Sequence, residues 1–383
     1  MGITVNHALS RERKFFVETE SPAGTFVKAT TTGAAKILKF DVSYEPERKA
    51  RMDSRQTRSL LERFTGKVKV GYSLEAEVIP SGTAGTPPDL HQLYYAALGA
   101  YANVGATSDT YTPVPYATSQ VFRTVSMTDH FPNEFMRSIW GAWVDSFTLS
   151  VSGGDTAKAK FEGGAMGYAH TGTSTLAAAM SGVTTMQVQA ADDYQFNVNS
   201  IVAIDDTTNV QVTAIHGDGR PKFTVGTSVT ELISAAVIPY TPDETVAGTP
   251  LATVGGSFTV DAVALPILGF EISVKNNLKD NNDEALISLP TDVIPGWLDV
   301  SGTITTRARR DFIVHMANMH EFGSHDLALV LGATAGKRLA VDVDYAEYNF
   351  APPEIPDADE LQIKLPFVAK GSAGSDEVSF MFY

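Results

Sequence analysis

The side chains that could do chemistry come first. His315, His320 and His325 recur at a spacing of five. On a helix that step turns successive side chains about 140° apart, and the His-Glu-x-x-His pattern of a zinc site is absent, so they are expected to be core or surface residues. Asp280, Asn282 and Glu284 alternate oxygen ligands as a calcium loop does, without the glycine and terminal glutamate that such a loop needs. A polar turn is expected there. The chain has no cysteine, which excludes a disulfide scaffold, a zinc-thiolate site and a thiol nucleophile. It contains no Gly-x-Ser-x-Gly elbow, no phosphate-binding Gly-x-x-x-x-Gly-Lys-Ser/Thr and no dinucleotide fingerprint. A glycosidase needs a pair of carboxylates; 44 Asp and Glu supply many pairs, and no pattern singles one out. Trp140, Trp143 and Trp297 suit a sugar platform, or a core or interface next to strands. The expectation is a protein that is not an enzyme and uses no metal or cofactor.

The elements that would position any site are mostly strands. A chain of 383 residues has room for two or three domains, and its many Gly, Thr and Val lean towards β structure. Gly66 to Ile79 alternates with period two, placing Val68, Val70, Tyr72, Leu74, Ala76 and Val78 on one face of a long half-buried strand. Helical patterns are confined to Pro88–Leu98 and Arg309–Met319. The first residues carry no apolar signal-peptide core, and no run approaches the roughly 18 apolar residues of a membrane helix. A cytosol-like setting without membrane insertion is expected.

The most informative pattern is self-similarity. Ile37-Leu38-Lys39-Phe40-Asp41-Val42 matches Ile267-Leu268-Gly269-Phe270-Glu271-Ile272 at an offset of 267 − 37 = 230. The same offset pairs the strand from Gly66 with that from Gly296. The helices follow at 222, because Ser81–Pro88 makes the first copy's loop longer. A duplicated fold is expected, with a first β domain over 1–168, a second over 251–383, and a small inserted β domain over 169–250. Within the insert, short strands are expected at Thr184–Val188, Ser200–Ile204, Val210–Ile215 and Phe223–Val225, and its flanks, Ala169–Ser174 and Pro242–Pro250, have the composition of linkers. Charge follows the same boundaries: 18 basic and 17 acidic residues, then 2 and 8, then 9 and 19, for a net −15.

Leu74 to Ala100 places a strand, then Ser81-Gly82-Thr83-Ala84-Gly85-Thr86-Pro87-Pro88, then an apolar helix. This segment resembles the tail tube proteins of long-tailed bacteriophages, as does the C-terminal pattern of the Pro356-Asp357-Ala358-Asp359 turn, the strand Glu360–Pro366 and the strand Val378–Tyr383. The resemblance covers both repeats but not the insert, and the second copy lacks the Gly-Thr-Ala-Gly loop. It implies a mainly β fold of two tandem tail-tube-like sandwich or barrel domains, each with one flanking helix, in a virion protein assembled in the bacterial host cytoplasm. It implies rings whose strands join into an inner barrel, stacked into the conduit that carries the genome out. Two copies per chain would make that ring a trimer with pseudo-sixfold symmetry, where single-copy subunits form hexamers. Implied partners are the chain itself, the tape measure, tail terminator and tail tip proteins, and double-stranded DNA in transit without specific binding. The rival expectation is a tail-tip or host-glycan-binding β-sandwich protein.

Under that resemblance the lumen-facing candidates are Lys67, Lys69, Ser73, Glu75 and Glu77 in the first copy and Asp299, Thr303 and Thr305 in the second. A neutral or acidic wall suits DNA transit, because each phosphate neutralised by Lys or Arg adds affinity. Arg48, Lys49, Arg51, Arg55, Arg58 and Arg63 crowd the long loop between two strands and lack interleaved aromatics, which favours an inter-subunit arm over a nucleic-acid patch. The equivalent loop of the second copy holds Asp280, Asp283, Glu284 and Asp292, an acidic counterpart.

Overall fold

The computed structural model describes residues 12–50, 63–114, 123–131, 135–205, 208–244, 248–280, 289–307, 323–349, 361–372 and 376–383. The first repeat runs β1 (Lys14–Thr19), β2 (Ala34–Ala35), β3 (Lys39–Ala50), β4 (Arg63–Glu77), α1 (His91–Leu98), β5 (Gly99–Asn103), β6 (Asp109–Pro113), β7 (Val125–Phe131), β8 (Phe135–Ser152), β9 (Lys158–Ala165) and β10 (Gly167–Thr171). The insert supplies β11 (Ser174–Thr175), β12 (Met180–Gln187), β13 (Ile201–Ile204), β14 (Thr208–Ile215), β15 (Lys222–Glu231) and β16 (Ala236–Pro239). The second repeat supplies β17 (Ser257–Val260), β18 (Val263–Ala264), β19 (Gly269–Lys275), β20 (Lys279–Asp280), β21 (Val293–Ile294), β22 (Asp299–Arg307), β23 (Ser324–Leu331), β24 (Leu339–Tyr348), β25 (Gln362–Ala369) and β26 (Ser379–Phe382). The fold is mainly β, with large antiparallel sheets. Among the described residues α1 is the one α-helix, where the pattern at Pro88–Leu98 predicts it; the second expected helix, Arg309–Met319, lies outside the described residues.

Two compact units partition the chain: Met1–Ala35 with Thr124–Ala142 and Ala165–Thr245, and Lys36–Arg123 with Trp143–Gly164 and Val246–Tyr383. These units cut across the expected segments 1–168, 169–250 and 251–383. The reason is strand pairing. The 18-residue β8 gives its first half to the first unit, and its second half pairs with β19 of the second repeat from Ser146↔Lys275 to Ser152↔Gly269. Likewise β6 pairs with β26 at Phe380↔Tyr111.

In the first unit, β1 lies between β2 and β7, and the first half of β8 between β7 and β10. The insert forms a sheet in the order β11-β16-β13-β14-β15-β12. The bridge Leu176↔Val188 joins its two ends, so the six strands close into a barrel around Met186, Phe196, Val202, Val212, Phe223 and Val225. Closure leaves no open edge. The predicted linker Ala169–Ser174 is structured: Ala169–Thr171 belong to β10, and Gly172 N–H donates to the Gln195 carbonyl at 2.9 Å.

The second unit packs two sheets on each other. One runs β3-β4-β9-β8(second half)-β19-β22-β25, with the end of β24 beside β25. The other contains β17, β23, β24, β26 and β6. Tyr94 of α1 fills the space between them, with ring centroids 5.5 Å from Phe147, 5.3 Å from Phe161 and 5.5 Å from Phe382. Such contacts between large aromatic faces dominate core energetics.

Candidate assembly surface

The spacing of 230 read from the sequence recurs in the hydrogen-bond ladders. In the first hairpin Lys39 pairs with Glu75 and Phe40 with Leu74; in the second, Gly269 pairs with Thr305 and Phe270 with Ile304, so 269 − 39 = 305 − 75 = 230 for both partners. The β7–β8 ladder slips between Val125↔Ala142 and Met127↔Ile139. The β23–β24 ladder slips between His325↔Ala346 and Leu327↔Val343, where 325 − 125 = 200 and 346 − 142 = 204. A bulge repeated at equivalent positions is a designed feature of a strand pair. In each repeat, too, the strand after the bulged hairpin pairs with the end of its partner (β9 on β8, β25 on β24), and the next strand pairs with its beginning (β10, β26).

One face of the long sheet is buried and the other open. Along β4, Val68, Val70, Tyr72, Leu74 and Ala76 are buried while Lys67, Lys69, Gly71, Ser73, Glu75 and Glu77 alternate with them. Along β22, Val300 and Ile304 are buried, and Asp299, Ser301, Thr303 and Thr305 lie on the other side. The lumen-facing candidates of both repeats therefore share the open face of a single sheet. Cations on this face stand beside anions: Lys39 Nζ is 2.6 Å from Asp41, and Lys160 Nζ is 2.8 Å from Glu162. The hydrogen bond to Asp41 pushes the Lys39 ammonium above its ordinary range. Ser73 Oγ donates to Glu162 at 3.3 Å, and small residues at Gly71, Gly163 and Gly164 open a shallow groove of about 680 Å³. On β8 and β19 the same face turns to hydroxyls, where Thr148 Oγ1 donates to Ser273 Oγ at 3.3 Å.

The edges of this sheet carry the geometry that matters for assembly. Asn276 N–H donates to the Asp145 carbonyl at 2.8 Å, so by alternation the N–H groups of Phe270, Ile272 and Val274 point at β8. β3 is the equivalent of β19. It pairs with β4 on one side, and among the described residues no strand pairs with it on the other. A strand edge of this length is a template for another strand.

The Gly-Thr-Ala-Gly loop locks the repeats together within the unit. Gly82 N–H donates to the Gly336 carbonyl in the β23–β24 turn at 3.0 Å, and Gly336 N–H donates to the Tyr383 carbonyl at 3.0 Å. Gly85 has φ +69°, and a Cβ there would collide with the Gly105 carbonyl in the β5–β6 turn. Only glycine tolerates both demands.

Of the basic arm, Arg48 and Lys49 are exposed on β3, with Lys49 Nζ 3.2 Å from Glu47, and Arg63 opens β4. Arg51, Arg55 and Arg58 lie outside the described residues. Of the acidic counterpart, Asp280 sits in β20 and Asp292 accepts the Val293 N–H at 2.7 Å, while Asp283 and Glu284 lie outside the described residues. Among the described residues no ion pair joins the two arms.

Sequence reasoning missed the buried polar groups. In the first unit Asp129, fully buried, is bound by both Arg13 and Arg137. Glu20 accepts from Gly24 N–H, Thr124, Ser126 and Gly141 N–H. In the second, His91 Nδ1 meets Tyr111 Oη at 2.6 Å, and Tyr101 donates to Asp109 at 2.6 Å. No local motif marks partners as distant as Arg13 and Asp129, 116 residues apart, or Glu20 and Gly141, 121 apart. Among the described residues no cluster of three His, Asp or Glu could hold a metal; His325 Nδ1 instead meets Asp261 at 2.7 Å. Trp143 is buried, and Trp140 packs against Gly167, whereas Trp297 is 91% exposed.

No protein-family model matches the chain, and no curated protein matches it.

Proposed function

We propose that the chain is a structural subunit that closes into rings and stacks into a tube, of the kind formed by the phage tail tube proteins its Gly-Thr-Ala-Gly segment resembles. The observation that carries this reading is the strand order β3-β4-β9-β8 followed by its repeat β19-β22-β25-β24, joined head to tail by β8 on β19. The same junction between chains would bring the second repeat of one copy to β3 of the next. A heterologous contact of that kind generates a ring when its rotation closes. Three chains would supply six repeats. Three cations of the candidate wall, Lys39, Lys158 and Lys160, stand beside Asp41, Asp155 and Glu162, and each such pairing lowers the pull of the wall on a polyanion. The insert barrel has no open edge and is not needed for closure.

Electron microscopy and sedimentation of the purified chain test the reading. Hollow cylinders with threefold order are expected. Val42→Pro should yield folded monomers, because it removes the N–H equivalent to that of Ile272, which faces β8. A monomeric native chain, or rings unaffected by Val42→Pro, would refute it.

A further inference from the structure

The two ends of the second unit's long sheet differ in a complementary way. At the end where β19 finishes and β22 begins, the strand pair β20–β21 carries Ile294, 50% exposed, and the segment between β21 and β22 carries Trp297, 91% exposed. Trp297 is held there by its backbone, whose carbonyl accepts the Asn277 amide at 2.7 Å, while its ring faces solvent. Tryptophan is among the most buried residue types on average, so a nearly bare indole on the segment between β21 and β22 is informative.

At the opposite end, where β19 begins, lies an apolar groove of about 510 Å³ lined by Val151, Phe258, Leu265, Ile267, Leu329 and Leu331. Val254 on its rim is 76% exposed, and the neighbouring Val263 is 66% exposed. The seven residues of β19 separate the two features by roughly 20 Å. Trp297 therefore cannot reach the groove of its own chain. A knob at one end and a matching apolar slot at the other form a contact that propagates rather than closes, because each copy offers both halves.

We infer that Trp297 of one copy seats in the Phe258–Leu331 groove of a second copy, and that this contact stacks successive rings. The inference rests on the ring reading above and adds the axial contact that reading lacks. The groove of about 510 Å³ has room for an indole with part of the Ile294 side chain, and tryptophan seated in a well-packed pocket is one of the residue types enriched at interface hot spots.

The test uses the full chain and two exposed substitutions. Trp297→Ala removes the knob and leaves the groove. Ala264→Glu places a charge in the groove lining and leaves the knob; Ala264 is exposed on β18. Each variant alone should form rings of native size while the concentration needed for tubes rises at least about tenfold. An equal mixture of the two should form pairs of rings and no longer assemblies, because one Trp297 then meets one intact groove. Tubes of Trp297→Ala at the native threshold, or a mixture without ring pairs, would overturn the inference while leaving the rings in place. A native chain that forms no rings would instead refute the ring reading, and the inference with it.

Discussion

The two repeats share a ladder and differ in what the ladder carries. At the position of Asp129, between Arg13 and Arg137, the second repeat has Leu329, with Val341 in place of Arg137. The connections explain part of the difference. Residues 20–33 join β1 to β2 and lie over the sheet, where Val27 N–H donates to Ser126 and Phe26 meets Trp140 edge-on at 5.8 Å. In the second repeat Asp261 and Ala262 alone join β17 to β18, and the positions equivalent to Ser126 and Ser138 are Asp326 and Asp342, towards solvent. A covered face must satisfy its polar groups internally; a bare one can carry charge. Register is therefore set by backbone and alternation, and side-chain chemistry follows from what lies on top.

The sharpest way to break this comparison is to give the first repeat the second repeat's residue. Asp129→Leu should destabilise the first unit by about 3–5 kcal/mol, because it leaves Arg13 and Arg137 without their shared carboxylate in a largely buried site. Adding Arg137→Val, the other half of the exchange, should recover only part of the loss, since Arg13 still lacks the carboxylate it shares in the native chain. Denaturant unfolding followed by hydrogen exchange in β7 reads both steps. Equal stability of Asp129→Leu and the native chain would mean the network contributes nothing.

The same comparison shows what the sequence made legible. The β3–β4 and β19–β22 hairpins were visible because both halves keep the same alternation at one offset. The β7–β8 and β23–β24 hairpins were not, although their bulges coincide. Val125 faces His325 in the alignment and Met127 faces Leu327, so their equivalence resides in pairing partners that a single sequence does not display. The division of β8 between two compact units was not legible for a related reason: β8 looks like one long strand, and nothing in its residues marks where its partner changes from β7 to β19. The glycines of Ser81–Pro88 were recognisable as a motif, yet their task, a close approach to Gly105 and Gly336, depends on turns distant in the chain.

A second exchange sharpens the comparison through pH. His130 is buried against Thr241, whose Oγ1 lies 2.8 Å from Nδ1. Burial, then the Lys14 charge, push its pKa down to about 4. Above the ordinary imidazole value near 6.5 the group is neutral in both states and contributes nothing. As pH falls below that value the unfolded chain takes up a proton that the folded chain refuses, so stability is lost, reaching about 3 kcal/mol by pH 4. The equivalent residue in the second repeat is Val330. His130→Val should remove most of the acid sensitivity of the first unit, measured as the melting temperature between pH 7 and pH 4.5. An unchanged slope would assign that sensitivity to other groups.

The smallest effect has the opposite sign and comes from the bare face of the second repeat. Burial, then the neighbouring charges of Asp326 and Asp344, raise the pKa of Asp342 above the ordinary carboxylate value. The folded state thus carries a penalty at neutral pH that disappears as pH falls through the raised value, where the folded chain binds its proton first. Acid should weaken the sheet of the first repeat and slightly strengthen that of the second. Asp342→Ser, which installs the residue found at the equivalent Ser138, should stabilise the second unit at pH 7 by at most about 1 kcal/mol, since solvent screens a group that is half exposed. It should also flatten its response to acid, read as hydrogen-exchange protection of β24 at pH 7 and pH 5. A loss of protection in this variant at pH 7 would show that the carboxylate is held by a favourable contact, and that the two faces differ by more than cover.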